Sequence, residues 1–267
     1  MENDIGEVSL THAAQNRAMS DGPLSLSEQR VEPQIIDNYR PWDGIVIVSG
    51  AAYSGRSTLI GGMTEAMLSD PNAVYHICEG AERLKFRHER RDGSRSLIWQ
   101  SEIPKHLPTL PAFIRGAIHR EPTDIIIGEC RDPETMGEAV NAAMCGISVK
   151  TILHAQDCSR TMQRVSILLP NSGRAYFSPA VAQAMRMVIN QRLVPCVDGG
   201  RIAIREFLVF DKPLRDQLLR ANRTDWPALT RQAIEDKGQS YGKAIELALK
   251  AGLITEQTAA YQLRQEA

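Results

Sequence analysis

The amino-acid sequence predicts an α/β fold in which a mostly parallel sheet is covered by helices on both faces. Two observations predict it. Short β-branched apolar runs alternate with longer amphipathic stretches between residues 44 and 154, and this alternation is typical of parallel sheets. A glycine-bounded loop joins the first predicted strand to the helix after it, which is the arrangement of a phosphate-binding loop.

The glycine-bounded loop follows a buried strand over residues 45–48. Gly50 and Gly55 keep the spacing of the phosphate-loop pattern G-x-x-x-x-G-K-[ST]. The predicted nucleotide-binding residues are Gly50, Ala51, Ala52, Tyr53, Ser54, Gly55, Arg56, Ser57 and Thr58. Ser57 stands where a hydroxyl binds Mg²⁺, and Arg56 replaces the lysine that contacts the phosphates. Because arginine is longer and planar, nucleotide binding is predicted while fast hydrolysis stays open.

Two features of the loop leave alternatives open. A glycine-containing turn between a strand and a helix can also bind nothing. That interpretation stays open because Arg56 replaces the expected lysine. Tyr53 carries a Cβ, which costs about 1–2 kcal/mol if its position demands a left-handed backbone.

Length, charge and cysteine usage limit the class of protein. The chain has 267 residues and a formal net charge of −1, so it can form one large α/β domain or a domain with a smaller lobe. The near-neutral charge argues against general nucleic-acid or anionic-membrane binding. Five widely spaced cysteines without a C-x-x-C pair argue against a zinc site and fit a reducing cytosol. The apolar runs are too short to span a bilayer, and no secretory signal is expected.

The elements after the loop divide the chain into three predicted parts. Residues 1–33 are polar and predict an arm or linker, residues 34–210 a nucleotide-binding domain, and residues 211–267 a helical subdomain. The predicted strands are 73–78, 124–129 and 149–153, followed by a hairpin of 193–197 and 202–210 turned by Asp198, Gly199 and Gly200. The predicted helices are 34–39, 57–68, 110–121, 134–144, 161–169, 179–192 and most of the chain from residue 214 onward.

Three further local patterns support this division. Pro33 fits the first turn of the helix over 34–39, and Gly252 and Thr255 fit the end of one tail helix and the start of the next.

Residues 83–95 are rich in arginine. This segment predicts a solvated loop or hairpin, or alternatively a contact with another subunit or with nucleic acid.

Reactive side chains follow the predicted strands at their carboxyl ends. The second strand leads to Glu79, the third to Glu129 and the fourth to His154. In open α/β sheets ligands bind at this edge, so we expect all three beside the phosphate loop as catalytic residues. Glu129 would orient and deprotonate the attacking water, Glu79 would act near Mg²⁺ or the water, and His154 would polarise the γ-phosphate. Asp124 begins the third strand, roughly 16 Å from Glu129, and belongs to the opposite edge.

Each of these roles has a structural alternative. Glu129 can form a salt bridge with Arg131, Glu79 can be an ordinary loop acid, and His154 can be a structural histidine with its hydrogen bonds satisfied.

The same residues resemble the secretion ATPase superfamily of type II and type IV secretion and pilus retraction, in its PilT-like branch. The similarity covers roughly residue 31 to the end, in detail nearest to conjugative-transfer and Dot/Icm-type ATPases. The matching motifs are the phosphate loop, the acidic box Ile77-Cys78-Glu79-Gly80, the run Ile125-Ile126-Ile127-Gly128-Glu129-Cys130-Arg131-Asp132-Pro133-Glu134-Thr135, the histidine box Thr151-Ile152-Leu153-His154-Ala155 with Thr161-Met162-Gln163-Arg164, and two later segments, 190–195 and 250–255.

The resemblance implies a RecA-like ATPase domain over residues 34–210 that uses ATP and Mg²⁺. It implies a homo-hexameric ring with ATP between subunits, cytoplasmic and attached peripherally to an inner-membrane secretion or conjugation apparatus. Compared with the family pattern, Arg56 replaces a lysine, Tyr53 a glycine, Gly80 an acid and Ser101 an arginine. The family's N-terminal PAS-like domain has no room in residues 1–33, so an absent or truncated domain is expected. Arg115, Arg120 and Arg131 can act across an interface or form surface ion pairs.

Four functions are compatible with these patterns. The first is a ring-forming ATPase, active if slow, that energises conjugative or secretory transport. The second is a nucleotide-binding structural subunit that assembles without turnover. The third, a nucleic-acid-handling P-loop protein, is disfavoured by the near-neutral charge, and the fourth, a small-molecule kinase, lacks an arginine-bearing lid segment.

Overall fold

The computed structural model describes residues 23–82, 95–170 and 174–265, and these ranges contain one seven-stranded sheet. Its strands are β1 (Gly44–Ser49), β2 (His76–Ala81), β3 (Leu97–Glu102), β4 (Asp124–Glu129), β5 (Ser148–Leu153), β6 (Met185–Pro195) and β7 (Arg201–Val209). They lie in the order β3-β2-β4-β5-β1-β6-β7. The first six are parallel and β7 runs antiparallel to β6, so the predicted mostly parallel α/β fold is confirmed.

Ten helices accompany the sheet in the described ranges. They are α1 (Pro33–Asn38), α2 (Arg56–Leu68), α3 (Leu110–Ile118), α4 (Pro133–Met144), α5 (Cys158–Leu168), α6 (Arg174–Ala184), α7 (Lys212–Arg220), α8 (Trp226–Lys237), α9 (Tyr241–Lys250) and α10 (Glu256–Arg264). Six of them begin at a side chain that accepts a hydrogen bond from a first-turn N–H, namely Thr109, Asp132, Asp157, Asp211, Ser240 and Thr255. By contrast, α2 begins at Gly55 with no side-chain cap.

The two faces of the sheet bury separate apolar clusters. Helices α1 and α2 cover one face, where Val46 and Val48 of β1 pack against Leu59 and Met63 of α2. Helices α3 to α8 cover the other face, where they pack against the alternate residues of the same strands, such as Ile45 and Ile47 of β1. All six residues of β1 are buried, because the strand lies inside the sheet with helices on both sides.

The C-terminal helices pack on the hairpin of β6 and β7. Val194 and Ile204 form a third cluster with Tyr241 and Ile245 of α9. The backbone of Phe207 in β7 exchanges both hydrogen bonds with Gln239, just before α9. The α9–α10 pair is therefore fixed to the same hairpin that lies beside the phosphate loop.

Residues 23–32 of the predicted N-terminal arm are packed against the domain. Leu26 and Val31 are buried in the cluster that also contains α2. Ser25 and Glu28 form a reciprocal capping turn, in which the Glu28 carboxylate accepts from the Ser25 N–H and hydroxyl. Residues 23–32 therefore belong structurally to the face covered by α1 and α2.

Three predicted elements need correction. The predicted helix over 179–192 ends at Ala184, and the chain continues directly into β6, which is longer than the predicted 193–197 arm. Pairing with β1 on one side and β7 on the other gives the segment from Met185 its strand conformation. The second strand lies at 76–81 rather than 73–78, and β3 at the sheet edge was not predicted.

Some predictions lie outside the described residues. They concern residues 1–22 of the predicted arm and nearly all of the arginine-rich segment, residues 83–94. Within the described ranges, no helix is both long enough and apolar enough to cross a bilayer.

Candidate nucleotide site

The phosphate-loop candidate joins the end of β1 to the start of α2, as predicted. Its backbone has positive φ at Gly50 (150°), Tyr53 (61°) and Gly55 (84°), so Tyr53 does occupy a left-handed position. A Cβ at Gly50 would lie 2.4 Å from Ser54 Oγ and 2.5 Å from Gln191 O, which explains the glycine there. The Tyr53 side chain is 83% exposed, so its strain is not offset by burial.

Two observations show that the loop fits a bound phosphate. The N-terminus of α2 has no side-chain cap, which leaves its first N–H groups directed toward the loop with the positive end of the helix dipole. Ser54 Oγ is buried and has no hydrogen-bond partner among the described residues. A phosphate oxygen would satisfy such groups, because buried polar atoms are normally hydrogen-bonded.

The first turn of α2 carries the predicted magnesium residue. Ser57 is exposed at the mouth of the loop, and Thr58 is half-buried. Within the described ranges no group of three or more His, Cys, Asp or Glu residues could hold a metal ion. A magnesium ion here would therefore depend on the Ser57 hydroxyl, water and phosphate oxygens, which are ligands that Mg²⁺ prefers.

Arg56 is buried and its guanidinium is held at the end of β5. Its Nη1 donates to the carbonyl of Leu153 at 2.9 Å, and its Nη2 lies 3.3 Å from Nε2 of His154. Burial lowers the pKa of Arg56, an effect that the Glu129 carboxylate opposes and Arg131 reinforces. The side chain thus places a positive charge at the loop while one of its two terminal nitrogens is occupied by the protein.

Glu129 and His154 meet at the carboxyl edge of the sheet, beside Arg56. Oε2 of Glu129 lies 2.9 Å from Nε2 of His154, and Oε1 lies 3.0 Å from Nε of Arg131. Of the three side chains expected at this edge, Glu129 and His154 therefore lie together, and the alternative salt bridge of Glu129 to Arg131 is present as well. Arg131 also donates to Glu82 at 3.0 Å. The Glu129 carboxylate therefore lies between Arg131 and His154, and Arg131 in turn lies between two carboxylates.

The contacts of Glu129 determine its ionisation and the direction of its hydrogen bond with His154. Burial alone would raise the pKa of Glu129, but the hydrogen bonds and charges of Arg131 and His154 outweigh it and lower that pKa below its ordinary value. With Glu129 ionised, its carboxylate can only accept, so the N–H at Nε2 of His154 donates a hydrogen bond to it. The same nitrogen then cannot accept from Arg56, so the 3.3 Å approach is a packing contact.

Glu79 does not stand at a strand end. β2 continues to Ala81, and Glu79 lies within it opposite Ile126 of β4, three residues before Glu129. That offset is roughly 10 Å along the strand direction. Glu79 is 1% exposed, so its predicted role beside the metal or the water stays a prediction that would require access from the loop side.

Asp124 occupies the opposite edge of the sheet, as expected. Its carboxylate accepts from Nζ of the fully buried Lys150 at 2.5 Å and from the Thr123 hydroxyl at 2.9 Å. Nζ of Lys150 also donates to Ser148 Oγ at 3.0 Å. This cluster is structural, because it lies at the amino ends of the strands.

A polar network behind the loop was not foreseen from the sequence. Asn190 of β6 donates to the hydroxyl of Ser49, the residue before Gly50, at 2.7 Å, and Ser49 lies 2.7 Å from the hydroxyl of Thr161. The hydroxyl of Tyr241 on α9 donates to Asn190 Oδ1 at 2.6 Å. The segment 190–195 did stand out in the sequence, but the helix predicted there concealed this arrangement.

A comparison with known protein families gives a match over most of the chain. Residues 25–260 match the family described as Type II/IV secretion system protein. The chain belongs to this family.

Individual members of the type II/IV secretion system protein family are similar to the chain over most of its length. The type IV pilus retraction ATPase PilT of Pseudomonas aeruginosa is 28% identical over 220 residues, 81% of this chain and 61% of PilT. The structure of the ATPase DotB of Legionella pneumophila matches with a TM-score of 0.87 and 32% identity, over 91% of this chain and 66% of DotB. A structure of the pilus retraction motor PilT with bound ADP matches with a TM-score of 0.78 and 22% identity, over 90% of this chain and 67% of PilT.

These similarities establish the RecA-like ATPase fold of the secretion family. The chain spans less than two thirds of the length of P. aeruginosa PilT and of DotB. The structure shows the surroundings of two residues that depart from the family pattern, Gly80 and Ser101. A Cβ at Gly80 would lie 2.4 Å from the ring of Phe113, so an acid cannot enter without displacing that ring, and Ser101 lies on the edge strand β3.

Proposed function

We propose that the chain binds ATP with Mg²⁺ and hydrolyses it to energise a type II/IV secretion, conjugation or pilus apparatus. One observation carries the proposal. The uncapped N-terminus of α2 and the Glu129–His154 pair lie at the same edge of one sheet, linked through Arg56 and the end of β5. An anion site and a base in this arrangement are what hydrolysis of a phosphoanhydride requires.

The residues divide the work between binding and proton transfer. Backbone N–H groups of residues 50–58, with the charge of Arg56, would hold the phosphates, and the Ser57 hydroxyl would bind Mg²⁺. Bound Mg-ATP would supply the transferable phosphoryl group, and its Mg²⁺ would neutralise part of the phosphate charge. The Glu129 carboxylate would take the proton of the attacking water, since the lowered pKa keeps it ionised. His154 would hold that carboxylate in place and face the terminal phosphate. Glu79 would act near Mg²⁺ or the attacking water, which requires access to this buried side chain from the loop side.

The apparatus and the assembly extend the same proposal. P. aeruginosa PilT is named as a pilus retraction ATPase and DotB as an ATPase, which supports a transport motor of this kind. We propose a homo-hexameric ring that is cytoplasmic and meets its apparatus at the inner membrane. All five cysteines are free thiols, three of them buried, which is compatible with a reducing compartment. Direct nucleic-acid binding is not proposed, since the net charge is −1.

A second function is favoured by the position of Arg56. Its guanidinium is anchored to the Leu153 carbonyl, so it is less free to follow a developing phosphate charge than a lysine would be. The chain would then be a nucleotide-binding structural subunit of the same apparatus, without turnover.

The substitution Arg56→Lys separates the two functions. ADP and ATP binding, phosphate release and the mass of the assembled species would be measured together for the native chain, Arg56→Lys and the exposed control Arg220→Lys. A motor is supported by phosphate release in the native chain that increases in Arg56→Lys and not in the control. Nucleotide binding without phosphate release in either chain supports the structural subunit, and failure of the native chain to bind nucleotide refutes both.

A further inference from the structure

A buried glutamine connects the phosphate loop to the neighbouring hairpin. Nε2 of Gln191 on β6 donates to the carbonyl of Ser54 at 2.7 Å. Its Oε1 accepts from Nε of Arg205 on β7 at 2.7 Å, and Gln191 is 2% exposed. Gly55 belongs to this arrangement, because a Cβ there would lie 2.7 Å from Gln191 Nε2. The orientation of the Gln191 amide is fixed by Arg205, since only one end of the amide can accept.

Arg205 is itself held by the segment that precedes α1. Its side chain is completely buried, and a buried guanidinium needs a partner for each N–H group. Nη1 donates to the carboxylate of Glu32 at 3.1 Å and to the carbonyl of Arg30 at 3.3 Å, and Nη2 donates to the carbonyl of Gln29 at 3.0 Å. Residues 29–32 therefore form the socket that orients Arg205.

The same segment also contacts the helix that carries the magnesium residue. Nε2 of Gln29 donates to the carbonyl of Thr58 at 3.0 Å. The approach depends on Gly62 in α2, where a Cβ would lie 2.3 Å from Gln29 Nε2 and 2.6 Å from the Leu24 carbonyl. Residues 23–32, called the strap below, thus reach the phosphate loop by two routes, at Ser54 through two side chains and at Thr58 directly.

We propose that Gln191 and Arg205 are positioning residues of the phosphate loop and that the strap sets the affinity of the loop for nucleotide through them. None of these residues supplies a catalytic group, and each acts on the backbone of residues 54–58. The inference rests on the proposed nucleotide binding. Docking of the strap and binding of nucleotide are then coupled, so each favours the other by the same factor.

The first test removes the contact between Gln191 and the loop. Binding of a fluorescent ADP analogue would be measured for the native chain, Gln191→Leu and the exposed control Gln183→Leu, each shown to be folded by its thermal transition. Loss of one buried hydrogen bond to the loop predicts about tenfold weaker binding for Gln191→Leu. Gln183→Leu should bind as the native chain does. Equal binding by the two folded variants overturns the inference.

The second test acts at the strap, far along the sequence from the loop. Glu32→Ala removes the carboxylate from Arg205 and should weaken ADP binding about threefold. If Glu32 acts through Gln191, the double variant binds no more weakly than Gln191→Leu alone. Losses that add in full would overturn the proposed route. Glu32→Ala also keeps the test decisive if Gln191→Leu does not fold, since unchanged ADP affinity in that variant contradicts the coupling.

Hydrogen exchange separates positioning from simple stabilisation. Saturating ADP should slow amide exchange in residues 23–32 of the native chain, and this protection should be smaller in Glu32→Ala, which keeps only the contact of Gln29 with Thr58. A strap that only stabilises the fold would show the same exchange with and without ADP, which overturns the inference. Absence of ADP binding by the native chain would instead refute the proposed function itself, and this inference with it.

Discussion

Glu129 is the residue on which the proposed hydrolysis depends most directly. Its carboxylate is fixed by His154 at 2.9 Å and by Arg131 at 3.0 Å, so it is held in one orientation before substrate arrives. Replacing it with glutamine preserves the size of the side chain and removes the base. Glu129→Gln should reduce phosphate release by about 10²- to 10⁴-fold while ADP affinity stays near the native value. Glu246→Gln, exposed on α9, is the matched control and should retain full turnover.

Arg131 controls the pH range over which Glu129 can serve as a base. Arg131 and His154 lower the pKa of Glu129 against the opposing effect of burial. Arg131→Gln removes one of the two groups that lower the pKa of Glu129, while burial still raises it. The pKa therefore rises, and Glu129 becomes protonated at a higher pH. The acid limb of the turnover profile, measured from about pH 4.5 to 8, should therefore shift upward in Arg131→Gln. Superimposable acid limbs for the two chains would show that this carboxylate is not the titrating base.

The sequence located most of this site but not the contacts that orient it. The phosphate loop, Glu129 and His154 were predictable because each follows a strand directly, and parallel strands bring their carboxyl ends to one edge. The contacts of Gln191 with Ser54 and of Arg205 with Glu32 link residues 137 and 173 positions apart. No local pattern reports such contacts, since they arise only when β6 and β7 pair beside the loop.

At the scale of elements, flanking residues explain which strands were predictable. Asp124 and Glu129 bound an apolar run of the right length, and β4 occupies those residues as predicted. The boundary between α6 and β6 has no glycine or proline to mark it, and Ala184 is followed at once by Met185. Strand pairing with β1 and β7 there overrides a helical sequence pattern. Edge strand β3 is half-buried along most of its length and gave a weak apolar signal.

The joint between β4 and β5 depends on a buried ion pair at their amino ends. Lys150 is fully buried, and Asp124 is the carboxylate that neutralises it. Asp124→Ala leaves that ammonium uncompensated and should lower the free energy of unfolding, measured by urea titration, by about 3–5 kcal/mol. Adding Lys150→Met should recover much of the loss, because the pair acts as a unit. Equal instability of the single and double variants would contradict this assignment. Whichever of these chains remains folded should bind ADP normally.

On the scale of the whole molecule, the phosphate loop is a point where three regions meet. The strap contacts it through Arg205 and Gln191, the C-terminal helices through Tyr241 and Asn190, and β5 through Arg56. The C-terminal region is reinforced by Arg192, whose guanidinium lies 3.9 Å from the centre of the Tyr241 ring. The predicted division at residues 33 and 210 stays a prediction, and these contacts cross both boundaries.

The proposed ring makes a prediction about concentration. If ATP binds between subunits, a chain completes its site only when assembled, so turnover per chain should rise over the concentration range in which the measured mass rises. Glu129→Gln chains provide the matching probe, since they retain the loop and assemble with native chains. Adding them in excess at fixed native concentration should change turnover per native chain, because mixed rings form. A turnover per native chain that is independent of both total concentration and added variant would mean that each chain works alone, and the ring would then be unnecessary for hydrolysis.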